Sequence, residues 1–169
     1  MINYLKKKNI NVGILGGTFD PSHEGHLTIS RIAKKKFGLK YIIWLITQRN
    51  PFKNKPKINI KERIKISKKI TKKDKYIKVE FLEKKINSKK TIEIIKFLKK
   101  INPTLNIFFI MGADNLINLH KWDKWEKIIK LVKILVFDRQ GYKLKSLKSI
   151  AAKKIPRDRW KFIKFNKIN

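Results

Sequence analysis

Apolar and polar positions fall into blocks along the chain, and the period changes from block to block. Residues 9–16 (NINVGILG) are a short apolar run ending in glycines, the pattern of a buried strand. Residues 25–37 place apolar side chains at 29, 32, 33 and 37, one face of a helix, with Gly38 as its stop signal. Residues 40–46 (KYIIWLI) predict a second strand, followed by a loop carrying Pro51 and Pro56. Asn59 with Glu62 three positions on has capping-box spacing and opens a helix with Ile60, Ile64 and Ser67 on one side. Residues 76–81 predict a weaker strand, and 90–100 an amphipathic helix ending before Pro103. LNIFFIM (105–111) is the clearest strand; after it Trp122, Trp125, Ile128, Ile129 and Val132 share a helical face. KILVF (133–137) predicts a fifth strand and WKFIKF (160–165) a sixth.

Strands alternating with helices require crossover connections, hence a mostly parallel sheet. The expected architecture is α/β: a Rossmann-like, doubly wound sheet with helices on both faces. At 169 residues the chain fits a single domain over 1–169, and 42% hydrophobic residues suffice for its core.

Charge adds less than its size suggests. Lys and Arg total 44 against 12 acidic residues, a formal net charge of +32, and only six of the 44 are Arg. Lys is spread over the whole chain with Ile and Asn rather than gathered in a stripe, which is a compositional drift. A surface built for nucleic acid favours Arg and interleaved aromatics, so no specific nucleic acid is expected. No cysteine is present, which excludes disulfides, thiol nucleophiles and thiolate metal sites. No stretch approaches the roughly 18 apolar residues of a membrane span, and the N-terminus makes a poor secretory signal, so no membrane is expected and the cytoplasm is the default.

In a parallel sheet, ligands bind outside the carboxyl ends of the strands. Gly16-Gly17-Thr18-Phe19-Asp20-Pro21-Ser22-His23-Glu24-Gly25-His26 follows the first strand, and Asn50-Pro51-Phe52-Lys53 the second. Gly112-Ala113-Asp114-Asn115 follows the fourth, and Asp138-Arg139-Gln140-Gly141-Tyr142 the fifth. Glycines let backbone and ligand approach closely, and two imidazoles at a helix start suit phosphate. A metal is the competing use of two histidines, but no carboxylate pair with ligand spacing supports it, and no metal-binding residue is assigned. Taken alone, Gly-Gly reads as a tight strand-to-helix turn with a packed His.

The whole string is more specific. Gly-Gly-Thr-Phe-Asp-Pro with His-x-Gly-His resembles the signature of the small α/β adenylyl- and cytidylyltransferases, the nucleotidyltransferase superfamily. Within it the chain is similar to the nicotinate-nucleotide adenylyltransferase family from Val12 to Tyr142. The similarity includes Asn50-Pro-Phe-Lys53, Thr91, Met111-Gly-Ala-Asp-Asn-Leu116 with Trp122 and Trp125, and Arg139-Gln-Gly-Tyr142, where Gln140 replaces a Pro. The resemblance implies adenylyl transfer from ATP to nicotinate mononucleotide, with Mg²⁺ delivered by ATP. It implies catalytic roles for His23, His26 and Lys53. It implies ATP contacts at Gly16, Gly17, Thr18, Phe19, Gly112, Asp114 and Arg139, and acceptor contacts at Thr91 and Trp122, with Trp125 left as core.

Two departures stand out. Ile94 occupies a position where the family repeats a Thr, and the Ser-Ser/Thr-x-x-Ile-Arg phosphate motif expected after the last strand is absent from a chain ending at Asn169. A shortened domain with one side of the crevice open, and impaired transfer, is the expectation. The rival readings are an adenylyltransferase with another acceptor, such as phosphopantetheine, and a basic RNA-binding domain.

Overall fold

The computed structural model describes residues 2–165. Six parallel strands form one sheet in the order β3-β2-β1-β4-β5-β6. They are β1 (Asn11–Gly17), β2 (Tyr41–Ile46), β3 (Ile77–Glu80), β4 (Asn106–Gly112), β5 (Lys133–Phe137) and β6 (Trp160–Ile163). The longer connections carry α1 (Glu24–Phe37), α2 (Ile60–Ile70), α4 (Thr91–Ile101) and α6 (Trp125–Leu131). Shorter helices are α3 (Glu83–Ile86), α5 (Ala113–Asn118), α7 (Lys143–Leu147) and α8 (Ile150–Lys154). Every described strand pairing is parallel, which sharpens the expectation of a mostly parallel sheet.

Period-2 alternation sorts side chains onto the two faces. Val12, Ile14, Ile43, Leu45, Ile107, Phe109, Met111, Ile134 and Val136 share one core with α4, α5 and α6. Leu15, Ile42, Trp44, Ile46, Phe108, Ile110, Leu135 and Phe137 share the other with α1. Gly13 falls in the second set, where an added Cβ would lie 2.9 Å from Leu39 Cδ1 and 3.0 Å from Ile110 Cδ1, so any side chain here would push these two side chains aside.

The chain builds outward from β1 to β3, then returns to lay β4 against the other side of β1. The strand order therefore reverses between β1 and β4, and the crevice at a switch point lies beyond their carboxyl ends, Gly17 and Gly112. Gly38, left-handed at φ 60°, closes α1, and Asn59 caps α2 by accepting from Glu62 N at 2.9 Å, both as the pattern predicts.

One helical expectation is wrong. Trp122 does not share a helix with Trp125: it ends a 3₁₀ turn (Leu119–Lys121) in extended backbone, and Lys124 at φ 51° resets the chain before α6 begins. Spacing alone could not show a turn that uses a left-handed lysine. The position expected for the phosphate motif after β6 lies outside the described residues.

Candidate active site

The segment after β1 builds its own scaffold from the signature residues. His23 caps α1 in extended backbone, its Nδ1 accepting from Gly25 N at 3.1 Å. His26 answers in the first turn, its Nδ1 accepting from His23 N at 3.1 Å. The two histidines thus form a reciprocal capping box, with imidazole nitrogens in the places usually taken by Ser/Thr and Glu. The spacing His-x-Gly-His follows directly. A side chain at Gly25 would put its Cβ 2.8 Å from His23 Cε1, so only glycine fits beneath the ring.

The same bonds set the tautomers. A neutral imidazole whose Nδ1 accepts must carry its proton on Nε2, so the bond to His26 Nδ1 leaves His26 an Nε2–H donor. Its ring is held by His23 (centroids 4.1 Å apart), Phe19 (4.7 Å) and Trp44 (5.8 Å). Burial, reinforced by the charges of His23, Lys53 and Arg139, pushes the His26 pKa down to about 3. His26 is a neutral, oriented donor at physiological pH.

Behind it, Trp44 Nε1 donates to Ser30 Oγ at 2.8 Å, and Ser30 Oγ donates to the carbonyl of His26 at 2.8 Å. That chain explains a fully buried serine on α1, whose innermost positions are Leu27, Ser30 and Ala33. Phe19, an expected ATP contact, is buried with its ring stacked on Trp44 at 5.0 Å. Its side chain supports His26 from below, leaving only its backbone to face a ligand.

Gly16 and Gly17 differ from Gly25. Added Cβ atoms there would meet Phe109 at 3.5 Å and Phe19 at 3.6 Å, ordinary contacts. Packing within the protein therefore leaves room for a methyl group at both positions. Gly17→Ala is expected to leave the melting temperature within about 2 °C of the parent while weakening ATP binding about tenfold or more. Calorimetric titration with ATP checks it, and unchanged affinity would remove Gly17 from the expected ATP contacts.

Across the crevice, Asp114 stands in the first turn of α5 with its Oδ1 folded over Gly112, where a Cβ would lie only 2.6 Å away. This accounts for the Gly-x-Asp spacing. Asp114 Oδ2 accepts from Arg139 at 2.8 Å and pairs with Lys53 at 3.3 Å. Three expected site residues from separate strand ends therefore meet on one carboxylate. Asp114 Oδ1 is buried with no hydrogen-bond partner among the described residues.

Trp122 is half-buried and packs edge-on against Phe109 at 5.8 Å, while Thr91 begins α4. Ile94, where a second Thr was expected, is a core residue at 4% exposure. The case for Thr91 and Trp122 as site residues rests on the strand-end topology.

Sequence reading missed Arg63. It is 2% exposed on α2, and its guanidinium donates to Thr18 O (2.7 Å), Thr47 O (2.8 Å), Gln48 O (3.0 Å) and Ile58 O (2.9 Å). Burial lowers its pKa, opposed by Asp20 and Glu83. Asp20 accepts from Lys57 N and Ile58 N at 2.7 and 2.8 Å, bonds that hold its carboxyl below the usual range. Glu83, also missed, accepts from Thr47 Oγ1 and from Gln48 N.

A parallel sheet reversing between β1 and β4, with a histidine pair and glycines at that switch point, makes a ligand crevice of the doubly wound α/β kind. The family model for cytidylyltransferase-like proteins matches residues 14–167. The chain is 56% identical to a probable nicotinate-nucleotide adenylyltransferase of Pelagibacter ubique (strain HTCC1062), over 99% of this chain and 92% of that protein. It is 37% identical to a protein of the same name from Ruegeria sp. (strain TM1040), over 85% of this chain and 76% of the relative. Among solved structures it is similar to Plasmodium falciparum nicotinic acid mononucleotide adenylyltransferase complexed with NaAD, with a TM-score of 0.71. That likeness, at 20% identity over 95% of this chain and 77% of the other, supports the fold. The chain belongs to the cytidylyltransferase-like family, among the nicotinate-nucleotide adenylyltransferases. Among the described residues no helix is long and apolar enough to cross a membrane.

Proposed function

We propose that the protein transfers the adenylyl group of ATP to the phosphate of nicotinate mononucleotide, forming deamido-NAD and releasing pyrophosphate. The observation that carries the reading is the paired-histidine cap at the switch point, facing Asp114, Arg139 and Lys53 across the crevice. Relatives of this name at 56% and 37% identity support the choice of acceptor.

The chemistry asks for alignment rather than a covalent nucleophile. An oxygen of the acceptor phosphate attacks the α-phosphorus in line; the new P–O bond forms as the bond to the β-phosphate bridging oxygen breaks, and pyrophosphate leaves. Mg²⁺ enters with ATP as part of the substrate. Backbone at Gly16, Gly17, Thr18 and Phe19 lines the triphosphate, with His23 beside it. His26 donates from Nε2–H to the α-phosphate oxygen on which charge builds.

Lys53 and Arg139 are about half exposed in their pairs with Asp114. The carboxylate they share is mostly buried while both cations reach solvent, so each can turn from it to a triphosphate. Asp114 Oδ2, which those cations release, is then left to accept from a ribose hydroxyl. Gly112 leaves room for Oδ1 to fold back over it. On the acceptor side, Trp122 offers an aromatic face to the pyridine ring, and Thr91 at the start of α4 lies near its carboxylate.

A coupled pyrophosphate assay with ATP tests the acceptor. Release with nicotinate mononucleotide is expected, with kcat/KM at least about tenfold above that for nicotinamide mononucleotide, because a carboxylate accepts charge-assisted hydrogen bonds that the amide cannot match. Equal values would overturn the acid preference, and release with phosphopantetheine alone would reassign the acceptor.

A further inference from the structure

The loop from Thr47 to Ile58 carries Lys53, and it is fastened at both ends. Its start is held by Glu83, which accepts from Thr47 Oγ1 and Gln48 N. Its end is held by Asp20, which accepts from Lys57 N and Ile58 N. Arg63 reaches both ends, through the carbonyls of Thr47, Gln48 and Ile58, and from the same guanidinium it reaches Thr18 O. Thr18 continues into the segment that delivers His23 and His26.

Four bonds to three stretches of backbone are more than helix packing requires. A buried guanidinium is costly to desolvate, and Asp20 and Glu83 are the nearby charges that compensate it. What the guanidinium adds is a rigid, planar fork that fixes the distance between two loops.

We propose that Arg63 is a positioning residue for the transfer, coupling the loop that carries Lys53 to the segment that carries His23 and His26. It touches no reacting atom and acts through Lys53. The inference rests on the reading that this crevice binds ATP, and it is independent of which acceptor is used.

The test is a double-mutant cycle of Arg63→Lys and Lys53→Met, read both as ATP affinity by calorimetry and as kcat/KM for ATP in pyrophosphate release. In the parent, Lys53→Met is expected to weaken ATP affinity about tenfold and to lower kcat/KM about 10²-fold. In the Arg63→Lys background the same change should cost less than about threefold in each readout, since Lys53 is already misplaced. A merely structural Arg63 predicts effects that multiply, and that outcome overturns the proposal. If Arg63→Lys does not fold, Arg63→Gln, which keeps a planar donor but cannot span the three segments, takes its place in the cycle, with the same two outcomes. Coupling in ATP affinity without pyrophosphate release would keep Arg63 and remove the acceptor assignment; additivity with normal release would do the reverse.

Discussion

Replacing His26 by Ala lowers kcat by about 10²–10³ and changes the KM for ATP by less than about threefold. The asymmetry follows from charge. With its pKa at about 3 the imidazole is neutral, so it adds little attraction for ground-state triphosphate. Its Nε2–H is nevertheless oriented in advance by the bond from His23 N and by contacts with His23, Phe19 and Trp44. A donor that needs no reorganisation stabilises the charge that appears only as the α-phosphate is transferred. The variant also loses the acceptor for His23 N, a capping loss of about 1 kcal/mol, which a melting curve separates from the kinetic effect. Near-normal turnover in a folded variant would remove His26 from the mechanism.

The sign of the pKa shift adds a second readout to that variant. A lowered pKa means that free His26 takes up no proton until the pH nears 3, so it sets no limb of the kcat/KM profile above about pH 4. Substrate phosphates, whose second ionisation lies near pH 6, produce the acid limb instead. Wild type and His26→Ala should show that limb at the same pH. An acid limb present only in the wild type would mean that a titrating imidazole governs binding.

How legible all this was in the sequence depends on whether the interaction is local. The apolar runs at 40–46 and 105–111 declare their strands because both faces are buried, and β1 and β4 then mark the switch point. His23, Gly25 and His26 could be read together because their bonds span two or three residues. Glu83 could not: its partners Thr47 and Gln48 are 36 and 35 residues away, and nothing near it marks a buried carboxylate. Trp122 misled for the opposite reason, since its spacing fits a helix that Lys124 interrupts. Arg63 did leave a trace. In a chain with 38 Lys and six Arg, an arginine retained on a helix suggests that a fork is needed there. Arg31 forks onto Asp74, Arg159 donates to three carbonyls, and Arg63 to carbonyls on three segments.

Gly25→Ala should separate activity from stability. A Cβ at this position would lie 2.8 Å from His23 Cε1 and 2.9 Å from its Nδ1, so the ring must swing away and give up its bond from residue 25 N. Losing that cap costs about 1 kcal/mol. Alanine in place of glycine within a helix returns about 0.8–1 kcal/mol of propensity, so the melting temperature should shift by no more than about 4 °C. The catalytic consequence is larger. The displaced ring packs at 4.1 Å from His26, and His23 N is the donor that holds His26 Nδ1, so both imidazoles lose their reference point. A shift of about 1 Å in a positioning group is enough to lower kcat/KM about 10²-fold. Thermal melting and steady-state pyrophosphate release on the same preparation decide the matter. A variant that melts with the parent and loses about 10²-fold in rate confirms that Gly25 serves the geometry of the two histidines. If the rate is retained, the close packing of His23 on the helix start is incidental to transfer.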